Sequence, residues 1–353
     1  MRRAWTSVVV AAVAVLGVVA PAGASSDVAH PRTAPPVVHP RPTPPVGYPR
    51  PTPPGPVPHP TLPAPPAPSE PASPVPPGQP LHLAIGDSLA AGQQSVPPVE
   101  DYAATMELWK ANGFVALFHA ALQERLDCSR GHGPRPSAGP HGCRKLALVN
   151  LSRPGIPNVA GGVTTATVLE PGDQLDQAVA LLEARNGNRN AHDDVRVITV
   201  SVGGNDFSGI AVQACVLSTV QCAPTLEMTF AGFADRYDAI LRALRETAGP
   251  DTTILTPALY NPLPYCDAGA AVGVQWVQHA GDVVLEGGDL VPGVTVARGY
   301  NDVLRDVAAR YDVTVVETFG LLDADDLVGG ADCTHPDGRG HRTLAHLFVA
   351  AVD

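Results

Sequence analysis

Five residues in four short motifs supply between them what acyl transfer requires. Ser88 stands in Gly86-Asp87-Ser88-Leu89, and Gly155 ends Asn150-Leu151-Ser152-Arg153-Pro154-Gly155. Asn205 lies in Gly203-Gly204-Asn205-Asp206, and Asp332 and His335 share Asp332-Cys333-Thr334-His335-Pro336. The reaction needs a nucleophile, a base for its proton, a group that orients the base, and donors for the transient oxyanion. Ser88 suits the first role and His335 the second, while Asp332 can steady the imidazole as it becomes cationic. The backbone N–H groups of Ser88 and Gly155 and the side-chain amide of Asn205 are the candidate oxyanion donors. Lacking a Cβ, Gly155 lets backbone approach a substrate. Each motif also has a structural reading by itself. Ser88 can cap a helix, Asn205-Asp206 can be turn residues, Gly155 can serve a turn after Pro154, and Asp332 and His335 can be loop residues.

What joins the motifs is where the chain places them. Apolar runs at Leu81–Ile85, Leu146–Leu151, Val195–Val202, Thr252–Leu259 and Val313–Val316 read as strands. Helical spacing marks Gly113–Leu126, Gln174–Arg185, Phe230–Thr247, part of Val294–Arg310, and Gly338–Val352. The Ala- and Leu-rich residues after Ser88 read as the start of one more helix. The stretches Gln93–Leu108, Phe207–Thr229 and Cys266–Pro292 read as loops. Strands alternating with helices predict an α/β fold: a three-layer α/β/α sandwich around a mostly parallel five-stranded sheet. Sites in such sheets form at the C-terminal ends of strands, and that is where the motifs fall.

In this order the four blocks resemble those of the SGNH hydrolases, the GDSL-type esterases and lipases, and the chain is similar to secreted bacterial members of that family. The blocks run through residues 81–353, and the Gly-His pair that often follows the last is present as Gly340-His341. The resemblance implies the SGNH hydrolase fold, with Ser88 as nucleophile, His335 as base, Asp332 as its partner, and Ser88, Gly155 and Asn205 as the oxyanion hole. Two positions depart from the pattern or leave it open. Ile156-Pro157-Asn158 stands where relatives often carry Thr, which leaves Gly161 or Gly162 as an alternative to Gly155. A backbone carbonyl orients the histidine in some relatives, and His341 is a rival base with the wrong spacing from Asp332.

The ends and the composition bound the rest. Arg2-Arg3, the apolar run Val8–Ala20 and Ala22-Gly23-Ala24 predict a secretory signal peptide over 1–24, too short to span a bilayer. Residues 25–80 hold 23 of the 39 prolines and predict a linker, extended or disordered, of the kind that would serve cell-wall or surface association. The catalytic domain occupies 81–353, where 18 basic and 32 acidic residues leave a net charge of −14. Such a domain is a poor nucleic-acid binder, and no stretch reads as a transmembrane segment. Six cysteines behind an export signal predict disulfides, paired Cys128–Cys143, Cys215–Cys222 and Cys266–Cys333. The rival zinc reading lacks any Cys-x-x-Cys pair.

The expected protein is a secreted, monomeric serine ester hydrolase acting on a small-molecule or lipid ester, with no metal and no cofactor. The alternatives are a phospholipase or acyltransferase using the same residues, and a non-catalytic cell-surface binding protein retaining the fold.

Overall fold

The apolar run Leu81–Gly86 forms strand β1 and is buried along its whole length, because helices cover both faces of the sheet it joins. The computed structural model describes residues 78–126, 145–155, 162–188, 190–330 and 332–352. The expected signal peptide, nearly all of the proline-rich linker, Gly161 and the Cys128–Cys143 pair lie outside them. In chain order the elements are β1, α1 (Tyr102–Asn112), α2 (Phe114–Leu126), β2 (Ala147–Asn150), α3 (Thr165–Val168), α4 (Gln174–Asn186), β3 (Val195–Ser201), α5 (Gly204–Ala211), α6 (Cys222–Ala248) and β4 (Thr253–Pro257). Then follow α7 (Asp267–Val272), α8 (Val274–Glu286), β5 (Gly288–Val291), β6 (Val294–Val296), α9 (Tyr300–Ala309), β7 (Val313–Val316) and α10 (Gly338–Ala351).

Five strands form one sheet in the order β2-β1-β3-β4-β7, and every neighbouring pair is parallel. The α/β architecture is as expected, with a sheet that is parallel throughout. Alternation along β1 divides the core. Leu83 and Ile85 pack with Ile198 and Val200 of β3 against Leu182 of α4, Phe233 and Tyr237 of α6, and Leu304 of α9. Ala84 faces the other way, with Leu255 and Val316, toward Phe114 and Phe118 of α2 and Leu344 and Phe348 of α10. These two faces are the outer interfaces of the three layers.

The expected strands and, apart from the one after Ser88, the expected helices are present, but three stretches read as loops carry more structure. Gln93–Leu108 contains most of α1, whose N-cap Asp101 accepts from the Ala104 N–H at 2.7 Å. Phe207–Thr229 holds the rest of α5, a π-helical turn at Val212–Val216, and the first turns of α6. Cys266–Pro292 contains α7, α8 and β5, the last pairing antiparallel with β6. The helix expected after Ser88 is absent. Residues 88–94 make successive turns instead, and Gly92, at φ +73°, ends the first of them.

Two of the expected disulfides lie within the described residues, Cys215–Cys222 and Cys266–Cys333. The second spans 67 residues and fastens the segment of Asp332 and His335 to the start of α7. Closing a loop of that length contributes about 4 kcal/mol in the chain-entropy account. Among the described residues no helix is long and apolar enough to cross a membrane, and no group of three or more His, Cys, Asp or Glu is arranged to hold a metal ion.

Candidate active site

The turn that carries Ser88 is held from three sides. Gly86, the last residue of β1, has φ +153°, and a Cβ there would lie 2.3 Å from the Ser201 carbonyl oxygen, so only glycine fits. On the β3 side, the Asp87 N–H donates to Ser201 O at 2.9 Å. On the other side β2 has ended, and the Gln174 side chain shares the edge with the Arg153 N–H, which donates to Gly86 O at 3.3 Å. Gln174 Oε1 accepts from the Gly86 N–H at 2.7 Å and its Nε2 donates to Gly86 O at 2.9 Å. An amide side chain thus completes the strand end from which the serine projects. Asp87 closes the turn by accepting the Leu89 N–H at 3.0 Å. The local cap is therefore Asp87, and Ser88 keeps its hydroxyl for another partner.

That partner is His335. Its Nε2 is 2.9 Å from Ser88 Oγ, and its Nδ1 is 2.6 Å from Asp332 Oδ1. The aspartate and histidine sit on a segment that several contacts fix. Val328 N–H donates to His335 O at 3.1 Å, the Tyr260 hydroxyl donates to Thr334 O at 2.7 Å, and Cys333 is bridged to Cys266. Two residues past His335, Asp337 caps α10 by accepting from the Arg339 and Gly340 N–H groups. Burial pushes the Asp332 carboxyl up, but the hydrogen bond and charge of His335, with hydrogen bonds from Gln94 and Thr334, outweigh it and hold the group below the usual carboxylate range. A carboxylate that stays ionised beside Nδ1 keeps the Nδ1–H tautomer, leaving Nε2 free to accept from Ser88.

His341 is in a different state. It is fully buried; its Nδ1 accepts the Phe114 N–H at 3.2 Å and its Nε2 faces Gln93 O at 3.1 Å. An Nε2–H tautomer satisfies both bonds, and burial pushes its pKa down to about 4. It joins α10, α2 and the loop after Ser88 as a neutral structural residue.

Asn205 follows β3. Gly203, at φ +135°, lets the chain turn into α5 where a Cβ would lie 2.1 Å from the Tyr300 hydroxyl oxygen. One Nδ2–H of Asn205 donates to Val163 O at 3.0 Å, and Gly162 lies against the same amide, with room there for no Cβ. Asp206, buried, accepts the Thr165 N–H and an N–H of Arg236, each at 2.9 Å, and so ties the Val163–Thr165 segment to α5. Gly155 follows β2 in the loop held by Leu151 N–H to Ala84 O and Arg153 N–H to Gly86 O. Its own N–H donates to Gln93 Oε1 at 2.8 Å, and its carbonyl accepts the Tyr102 hydroxyl at 2.8 Å. Ser88, His335 and Asp332 are therefore joined by direct hydrogen bonds. Gly155 and Asn205 stand at the ends of the two strands that flank β1, each already engaged by a local acceptor.

Asp87 is buried under this site, and burial is the main reason its pKa rises to about 7. Asp206 adds to the rise, while the Leu89 hydrogen bond and the His335 charge oppose it. A folded-state pKa above the unfolded one means the carboxyl destabilises the fold increasingly as pH climbs from about 4 to 7. Asp87→Asn keeps an acceptor for Leu89 N–H and removes the charge. Its Tm gain over the parent is expected to be largest at pH 8 and to shrink steadily toward pH 4. A gain independent of pH in thermal melts would contradict this placement of the charge.

Gln93, Gln94 and Gln174 were not singled out from the sequence. Glutamine in a turn or at a helix start has no spacing signature, and its partners here lie far along the chain. Asp206 was read only with the turn.

The profile of the GDSL-like Lipase/Acylhydrolase family matches residues 84–343, a span that includes all five candidate residues. No curated protein sequence matches the chain. Among solved structures, a lipase from a goat rumen metagenome is 16% identical and aligns over 77% of this chain and 96% of its own, with a TM-score of 0.42. An extracellular lipase from Streptomyces rimosus is 14% identical over 77% of this chain and 99% of its own, with a TM-score of 0.44. An acetylxylan esterase from Geobacillus stearothermophilus is 15% identical over 78% and 94%, with a TM-score of 0.41. The profile covers well over half of the sequence, and the chain therefore belongs to the GDSL-like lipase and acylhydrolase family of carboxylic ester hydrolases.

Proposed function

We propose that this protein is a secreted serine ester hydrolase that cleaves lipid or short acyl esters through an acyl-enzyme on Ser88. The reading rests on one observation, the continuous path from Ser88 Oγ through His335 to Asp332 Oδ1 at 2.9 and 2.6 Å. Ser88 Oγ attacks the ester carbonyl as His335 Nε2 takes its proton. The tetrahedral oxyanion accepts hydrogen bonds from the Ser88 and Gly155 N–H groups and the Asn205 amide. Collapse breaks the bond to the alcohol, which leaves with the proton from Nε2. Water then attacks the acyl group, gives its proton to His335, and releases the acid as Ser88 regains its hydrogen. For Gly155 to take part, the Gln93 side-chain oxygen now on its N–H must give way to the substrate oxygen. Residues 1–24 direct export, and the linker to residue 80, about 170 Å if fully extended at ~3.1 Å per residue, holds the domain off a surface.

Labelling with a fluorophosphonate, followed by assay of aryl esters from acetyl to palmitoyl beside a phospholipid, tests this reading. Wild-type protein labels and Ser88→Ala does not, with aryl esters turned over faster than the phospholipid. A wild-type protein that turns over esters but does not label contradicts the serine mechanism.

A further inference from the structure

We propose that Gln94 is a positioning residue that holds the Asp332 carboxylate in register with His335; the proposal rests on the reading of Ser88, His335 and Asp332 given above. Gln94 Nε2 donates to Asp332 Oδ2 at 2.6 Å, and Asp332 Oδ1 meets His335 Nδ1 at the same distance. Each carboxylate oxygen thus has its own partner, and rotation of the group about its Cβ–Cγ bond would break both bonds. Without the Gln94 bond, an aspartate about a third exposed keeps only the hydrogen bonds of its near sequence neighbours Thr334 and His335.

The backbone at Gln94 supports a dedicated role. Its φ is +68°, and only Asp312 shares the left-handed region among the described non-glycine residues. Gly or Asn would suit that conformation better. Neither carries an amide on two methylenes, which is the reach this geometry uses. A non-glycine residue held there is strained, and such residues gather where a site over-determines them.

The loop can bear that strain because its neighbours are fixed. Gln93 N–H donates to Ser88 O at 2.9 Å, and Gln93 O faces His341 Nε2 at 3.1 Å. Ser95 N–H donates to Gly92 O at 2.9 Å, and Ser95 Oγ donates to Trp109 O at 3.3 Å. Gln94 is therefore carried on the same braced loop as the nucleophile, six residues further on. Its amide ties that loop to a partner 238 residues away in sequence. The charged and titratable groups around the pair are His335, His341, Asp87 and the buried Tyr260, and none of them replaces the Gln94 donor on Oδ2.

Two variants test the role. Gln94→Gly removes the amide and suits the backbone; Gln94→Glu keeps the length and replaces the donor with an acceptor. Each is expected to lower kcat about 10- to 100-fold, with KM within about twofold of wild type. The rate of fluorophosphonate labelling at Ser88 should fall by the same factor, since both depend on the His335–Asp332 pair. The Tm of Gln94→Gly should not fall below that of the parent, whereas a merely structural residue would lower Tm and leave the labelling rate intact. If Gln94→Gly does not fold, Gln94→Glu decides alone. Wild-type kcat and labelling rate in the folded variant overturn the proposal. Ser88→Ala, assayed alongside, separates the two readings: turnover surviving there refutes the serine mechanism itself, whereas an inactive Ser88→Ala beside a fully active Gln94→Gly refutes only the role of Gln94.

Discussion

Ser88→Ala is expected to lower kcat for an activated ester by a factor on the order of 10⁴–10⁶ while leaving Tm within a degree or two. The loss is large because the proposed mechanism carries the acyl intermediate on Ser88; what would remain is water attack assisted by the oxyanion donors. The fold should be indifferent because the Ser88 side chain bonds only toward His335. The contacts that build the turn belong to its neighbours: Gly86 with Gln174, Asp87 with Ser201 and Leu89, and the Ser88 carbonyl with Gln93 N–H. Kinetics with an aryl ester and a thermal melt on the same preparation check both halves. A loss of activity matched by a loss of Tm would make Ser88 a structural residue.

Asp332→Asn is expected to cost about 10⁴ in kcat, nearly as much, by a different route. The carboxylate now faces His335 Nδ1 with one oxygen and Gln94 Nε2 with the other. An asparagine that keeps its oxygen toward Nδ1–H turns its own N–H₂ toward the Gln94 N–H₂, donor against donor. The reverse orientation satisfies Gln94 but donates to Nδ1, which moves the ring proton to Nε2. There it points at Ser88 Oγ and cannot accept from it. The productive tautomer survives only if Gln94 also turns its amide over. Steady-state kinetics from pH 5 to 9 check this: the activity of Asp332→Asn should stay low throughout. Recovery to wild-type rates at high pH would mean that the tautomer is not controlled by Asp332.

The fold was largely legible in the sequence because its core strands are short β-rich runs bounded by turn residues. Val195–Ser201 is the clearest, with Asp193-Asp194 before it and Gly203-Gly204 after it. Helix α10 was legible from its period, which puts Leu344, Ala345 and Phe348 on one buried face. What escaped was of two kinds. Helix α8 carries Val at 274, 277, 283 and 284, β-branched residues that weaken helix propensity and favour strands. After Ser88, Ala and Leu favour a helix, but Gly92 at φ +73° and the packing of that glycine against Trp109 O and Gly113 break it into turns. Tertiary contact overrode local preference there.

The site divides along the same line. Ser88, Gly155 and Asn205 stood out because each sits in a short motif at a strand end, and Asp332 and His335 because they share one in the loop between β7 and α10. The residues that brace them do not. Gln174 bonds both backbone groups of Gly86, Gln94 reaches Asp332 from a left-handed turn, and Gln93 occupies the Gly155 N–H. Each is a glutamine whose partner lies at least 62 residues away in sequence. Side chains of that kind acquire a role only when the sheet brings distant loops together.

The most direct test of the account is to catch the acyl-enzyme. Wild-type protein is mixed with a short-chain aryl ester, quenched in acid within milliseconds, and digested for peptide mass spectrometry. The account predicts one added acyl group on the peptide containing Ser88, formed faster than steady-state turnover and absent from Ser88→Ala. Acyl groups found on another residue, or full turnover by Ser88→Ala, would contradict it.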